Sequence, residues 1–245
     1  MAGTTIYVIE LAASAYQRYP LVMLGKELKF VATAEKGEVS AILVRPGAAS
    51  HLLVLGHGAS TSMRHATLQT IADRMAEAGI ATFRYNFPYM EHGKGRDSQA
   101  VCMQTVRAAV AAAQRSAPDL PVLAGGHSFS GRMTSNAAAD SALDGVSGLV
   151  FFAFPLHQPR KPDIKRADHL GAVTIPMLFL SGTRDELADT DLLRRVCQQL
   201  GKLATLHLLD TADHGFKTLK RSRASGEDVF VEMARIAREW ASKLK

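Results

Sequence analysis

The 245-residue chain contains two cysteines, one tryptophan and no apolar run approaching 18 residues. Cys102 and Cys197 lie far apart, each within a helix-like segment. That placement gives no disulfide framework and reads as two packed free thiols in a reducing compartment. Without a long apolar run, no segment is expected to span or anchor in a membrane. Residues 11–15, LAASA, have the small side chains of a signal-peptidase site. However, no basic residue precedes them and Glu10 interrupts the apolar part, so the protein is read as cytoplasmic, with no secretory leader.

Several motifs are also missing. There is no G-x-x-x-x-G-K-[ST] loop and no strand-linked G-x-G-x-x-G, which argues against nucleotide chemistry. His65, His92 and His157 show no H-x-H or H-x-x-x-H pairing, so neither a metal nor any other cofactor is expected. The formal charge is +6, with basic residues bunched at Arg160, Lys161, Lys165 and Arg166. A second bunch is Lys217, Lys220, Arg221 and Arg223. Neither bunch is interleaved with stacking aromatics, so nucleic acid is not expected as a partner.

What is present is an ordinary globular balance, 47% hydrophobic and 21% charged. A chain of this length buries roughly three-quarters of its unfolded surface and needs no staple. Short β-branched runs alternate with longer amphipathic ones. Strands are expected at 28–33, 39–45, 51–55, 81–86, 121–124, 148–154, 175–180 and 205–209. Helices are expected at 66–78, 98–116, 128–139, 191–200 and 227–244. The last places Val229, Met233, Ile236, Ala237, Trp240 and Leu244 on one face, with Ser225-x-x-Asp228 as a capping box. The first two strands, joined by EKGE, form a hairpin at the sheet edge. The alternation that follows implies parallel strands with right-handed crossovers and helices on both faces. LVLG, FFAF and MLFL, apolar on successive residues, suit strands covered on both sides.

In such a sheet, chemistry gathers beyond the carboxyl ends of the strands. The loops there are GHGAST (56–61), FPYMEHGKGRDS (87–98), GGHSFSG (125–131), SGTRDELAD (181–189) and DTADHGFK (210–217). They supply a serine, a carboxylate and a histidine in that order. Ser128 has Gly126 two residues before it and the small Ser130 two residues after, as a tight strand-to-helix turn demands. His214 would take the serine proton and return it to the leaving group, and a carboxylate would hold its tautomer. Asp185 suits that last role, in competition with Glu186, Asp189 and Asp191. An oxyanion hole is expected from the backbone N–H groups of Ala59 and Phe129. His57 reads as a hydrogen-bonding residue of that turn rather than a base, and His127 sits beside the nucleophile with its direction open.

From about Lys26 onward the chain resembles the α/β-hydrolase superfamily. It is most similar to a dienelactone-hydrolase-like branch of small bacterial proteins. That branch is related to the hydrolase-like domain of an animal chromatin-complex subunit and to a testis-expressed protein. LVLGHGAST, FRYNFPYM, GGHSFSGRM, FAFPLHQPRKPD, LFLSGTRDELAD and ADHGFK carry the likeness. The resemblance implies Ser128 as nucleophile, Asp185 as acid and His214 as base. This chain departs from the branch at Ser130 and Ser60, where glycine is usual. No cysteine lies near Ser128, so the cysteine-dependent dienelactone activity does not carry over.

The expected fold is α/β: an α/β-hydrolase domain spanning 1–245, with a mostly parallel eight-stranded sheet. Residues 1–25 are an N-terminal extension or edge element. The short stretch from Pro155 to about Leu170 leaves little or no lid. Candidate pocket walls are Ser60, Thr61, Met63, Tyr89, Met90, Phe129 and Ser130. Lys161, Lys165, Lys217 and Lys220 leave the same edge and would make the rim electropositive. The expected activity is a serine hydrolase cleaving esters or thioesters of small acyl substrates through an acyl-enzyme. A peptidase or amidase with the same triad, or a non-catalytic scaffold for protein contacts, are the alternatives. Neither natural substrate nor oligomeric state is legible.

Overall fold

The computed structural model describes residues 25–93, 95–219 and 223–244. Almost all of the N-terminal extension, together with Lys220 and Arg221, lies outside the described residues.

β1 (Lys26–Thr33) and β2 (Gly37–Val44) form the edge hairpin, antiparallel to one another. The remaining strands are β3 (His51–Gly56), β4 (Ile80–Tyr85), β5 (Val122–His127), β6 (Val146–Phe152), β7 (Met177–Gly182) and β8 (Ala204–Leu209). Their order across the sheet is β1-β2-β4-β3-β5-β6-β7-β8. β2 pairs antiparallel with β4, and every pairing beyond that is parallel. This is the α/β-hydrolase arrangement, with an open, mostly parallel sheet.

Side chains on successive strand positions enter two cores. Leu52 and Val54 of β3 face one layer with Val122, Phe151 and Phe179, whereas Leu53 and Leu55 face the other with Leu123, Val150 and Leu178. The first layer is closed by α3 (Gln99–Ser116), α4 (Phe129–Asp140) and α5 (Thr190–Leu200). The second is closed by α1 (Ala66–Glu77) and α6 (Val229–Ala241). Burial on both faces explains the unbroken apolar runs in the central strands. Both cysteines are buried free thiols in the first layer, and burial pushes each up to about 12.

The start of α6 differs from the capping box expected at Ser225. Asp228 is the cap, accepting from the N–H groups of Phe230 and Val231, while Ser225 accepts only from Glu227. A short helix α2 (Pro88–Glu91), absent from the sequence reading, begins on a proline at its first position. Between β6 and β7, the one helical piece in residues 153–176 is the 3-10 segment Lys165–Ala172, so this connection forms no helical lid over the edge where β3, β5, β6, β7 and β8 end.

Candidate active site

β5 runs straight into α4, and Ser128 is the single residue between them. Its backbone sits at φ 54 and ψ −109, a region costly for a residue with a side chain. The turn is anchored by the Ser128 N–H donating to Phe152 O of β6 at 2.9 Å. It can be this tight because Gly126 has no side chain: a Cβ there would run into Ser130 and stand 2.8 Å from Gly56 O. Gly131 allows the first turn of α4 to settle against the strand, since a Cβ would stand 2.9 Å from Gly126 O. The glycine one place later than the usual pattern is thus required by the packing.

From this turn the Ser128 Oγ lies 2.8 Å from His214 Nε2. His214 Nδ1 lies 2.9 Å from both Asp185 carboxylate oxygens. A carboxylate can only accept, so Nδ1 carries the proton and the Nε2 lone pair faces the hydroxyl. The Asp185 side chain has no exposed surface, and it is held further by accepting from Leu187 N–H at 2.8 Å. Its competitors are otherwise engaged. Asp189 caps α5 by accepting from Asp191 and Leu192, and Glu186 and Asp191 are exposed. Ser128, His214 and Asp185 are therefore brought together from the ends of β5, β8 and β7.

Ala59 and Phe129 border the same cavity as Ser128, about 380 Å³ in volume. Phe129 opens α4, where backbone N–H groups have no intrahelical acceptor. Tyr89 buttresses the facing turn by donating from its hydroxyl to Ala59 O at 3.0 Å, and it packs edge-on against Phe129. His57 is wholly buried within that turn. Its Nδ1–H donates to Gly58 O at 2.7 Å and its Nε2 accepts from Phe87 N–H at 3.1 Å. Burial lowers it to about 4 against that carbonyl contact. His127 packs its ring beside His214 and donates to His214 O at 3.0 Å, and burial holds it at about 4 too.

Three pocket expectations change. Met63 is buried among Ile42, Val44 and Ala76 on the far side of the turn, where its backbone bonds Asn86 and Arg84, so it belongs to the core. Ser130 has no exposed surface. Its hydroxyl donates to His127 O and its Cβ rests where Gly56 and Gly126 leave room, beneath the turn rather than in the cavity. Tyr89, only 5% exposed, supports the Ala59 turn from behind. Ser60 and Thr61 lie on that turn, Ser60 exposed and Thr61 half-buried. Met90 is half-buried against the first core layer.

The cations also differ. The cavity beside Ser128 is lined by Arg96, Arg132 and Arg166, not by Lys161 or Lys165. Lys217 borders a second cavity of about 440 Å³, which His214 lines and which shares Pro159 and Leu187 with the first. The arginines come from the loop after α2, from α4 and from the 3-10 segment, dozens of residues apart, so no sequence spacing links them. Among the described residues, no group of three or more His, Cys, Asp or Glu is placed to hold a metal, and no helix is long and apolar enough to cross a membrane.

An open parallel sheet with a serine, a histidine and an aspartate meeting at its carboxyl edge defines an α/β-hydrolase. The chain belongs to the alpha/beta hydrolase domain family, which matches residues 49–242. In fold it is similar to a dienelactone hydrolase from Anabaena variabilis. That match has 18% identity, covers 90% of this chain and 99% of the other, and has a TM-score of 0.68. A serine hydrolase without a lid from Xanthomonas campestris matches at 19% identity, 89% and 94% coverage and a TM-score of 0.67. Est1E from Butyrivibrio proteoclasticus matches at 15% identity, 89% and 98% coverage and a TM-score of 0.64.

Proposed function

We propose that the protein is a serine hydrolase that cleaves ester or thioester bonds of small acyl substrates through an acyl-enzyme. The observation that carries this reading is the unbroken chain from Ser128 Oγ through the His214 ring to the buried Asp185 carboxylate. His214 Nε2 takes the hydroxyl proton as Ser128 Oγ bonds to the acyl carbon. The backbone N–H groups of Ala59 and Phe129 receive the oxyanion. The bond to the leaving oxygen or sulfur then breaks, and that atom takes the proton from His214. Water, deprotonated by the same nitrogen, releases the acid and restores Ser128. Asp185 keeps the imidazole oriented and stabilises it while charged.

The absence of a helical lid between β6 and β7 supports small, water-soluble substrates. Turnover of short-chain p-nitrophenyl esters and of acyl thioesters tests the reading. Ser128→Ala and His214→Ala are each expected to lower kcat by at least roughly 10⁴-fold, because the members of such a chain act as a unit. Turnover that survives Ser128→Ala within about 10-fold would overturn it.

A further inference from the structure

Two neighbouring cavities that share Pro159 and Leu187, one bordered by Ser128 and the other by His214, differ in charge. The one bordered by Ser128, Ala59 and Phe129 is lined by the exposed Arg96 and the half-buried Arg132 and Arg166. Among the described residues, none of the three forms an ion pair. Arg166 donates to His157 O at 2.8 Å, Arg96 lies 5.3 Å over the Phe129 ring, and the half-buried Arg132 guanidinium has no acceptor among the described residues. The cavity bordered by His214 balances Arg184 and Lys217 against Glu186 and Asp213.

Three like charges drawn together without a carboxylate repel one another, and a fold keeps them at lower cost when an anion joins them. Burial is the largest influence lowering Arg132, followed by the charges of Arg166 and Arg96. Position then says which part of a substrate carries the anion. The acyl carbonyl must reach Ser128 Oγ and the N–H groups of Ala59 and Phe129, whereas the leaving atom must face His214, which protonates it. The uncompensated charge lines the cavity bordered by Ser128, Ala59 and Phe129, and the balanced cavity is the one His214 borders.

Resting on the serine-hydrolase reading above, we propose that the acyl portion of the substrate carries an anionic oxyacid group, a carboxylate or a phosphate, held by Arg96, Arg132 and Arg166. Guanidiniums suit this role because each presents a planar fork of donors to two oxyanion oxygens. A cavity of about 380 Å³ accommodates a short diacid acyl chain.

Three esters of matched acyl length test this: p-nitrophenyl valerate, the mono-p-nitrophenyl ester of glutarate, and the valerate ester of 3-carboxy-4-nitrophenol. The expected order in kcat/KM puts the glutarate ester at least about 10-fold above the other two. Arg132→Gln is expected to remove about 10-fold of that preference, chiefly through KM, and high salt to narrow it. Glutarate and inorganic phosphate as competitors distinguish the two oxyacids. Inhibition by either supports the site and names its ligand, and inhibition by neither overturns it. Covalent labelling by a fluorophosphonate keeps the two readings apart. A protein that labels at Ser128 yet turns over all three esters equally, or favours the anionic leaving group, overturns this inference alone. A protein that does not label overturns the serine-hydrolase reading beneath it. Labelling retained in Arg132→Gln shows that the variant is folded.

Discussion

Ser128 holds an unfavourable backbone conformation because its neighbours leave it no other. The bond from its N–H to Phe152 O, the bare Cα of Gly126 and the buried Ser130 together set the turn. From GGHSFSG alone, Ser130 has an open role, either tolerated in the turn or projecting into the pocket, and the side-chain direction decides it for the interior. The prediction at this scale follows from the collision a Cβ at Gly126 would meet. Gly126→Ala is expected to cost about 1–3 kcal/mol by overpacking and to lower esterase activity with it. Ser130→Ala, whose lost hydroxyl never reached the cavity, is expected to keep activity within a few-fold. Adding Ser130→Gly to Gly126→Ala should restore part of the lost stability in urea unfolding, because two of the nearest atoms are gone. A double variant no more stable than Gly126→Ala would contradict the packing described.

Elements are tied together at the active edge by histidines that titrate far below their ordinary value. His57 links the turn after β3 to the residue preceding α2, and His127 at the end of β5 holds the loop that carries His214. Both sit at about 4, lowered from 6.5 mainly by burial. Between pH 6.5 and 4 the unfolded chain therefore binds protons that the native protein refuses. Stability is complete above pH 6.5 and is lost as the pH falls toward 4, by up to about 1.4 kcal/mol per pH unit for each histidine. Protonated His57 would also lose the lone pair that accepts from Phe87. Urea unfolding from pH 7 to 4.5 should show this slope, and His57→Gln should flatten it while lowering stability at pH 7. An unchanged slope in the variant would contradict the assignment. The elements themselves were legible wherever periodicity spoke: all eight strands and five long helices fall at their expected places, ends differing by a few residues. β5 runs on past its expected end at Ala124 because Gly125 and Gly126, read as a loop, remain paired with β3 and β6. The four-residue α2 escaped because so short a stretch shows no helical repeat.

At the scale of the molecule, chain order and strand ends nominate Ser128, His214 and a carboxylate of the loop after β7, because a parallel sheet delivers all its loops to one edge. The same reasoning could not choose among Asp185, Glu186, Asp189 and Asp191, which lie within one loop; burial and the cap of α5 decide that. It points to lysines where the cavity is lined by arginines, since Arg96, Arg132 and Arg166 are neighbours only after folding. Among the described residues, the cavity bordered by Ser128 is lined by arginines and the neighbouring one bordered by His214 has balanced charges. The proposed function turns on Ser128 as the nucleophile. Intact-mass measurement of the protein after exposure to a fluorophosphonate tests it most directly, on wild type, Ser128→Ala and Ser130→Ala. One adduct per chain is expected in wild type and Ser130→Ala and none in Ser128→Ala. No adduct in wild type, or an adduct that survives Ser128→Ala, would contradict it.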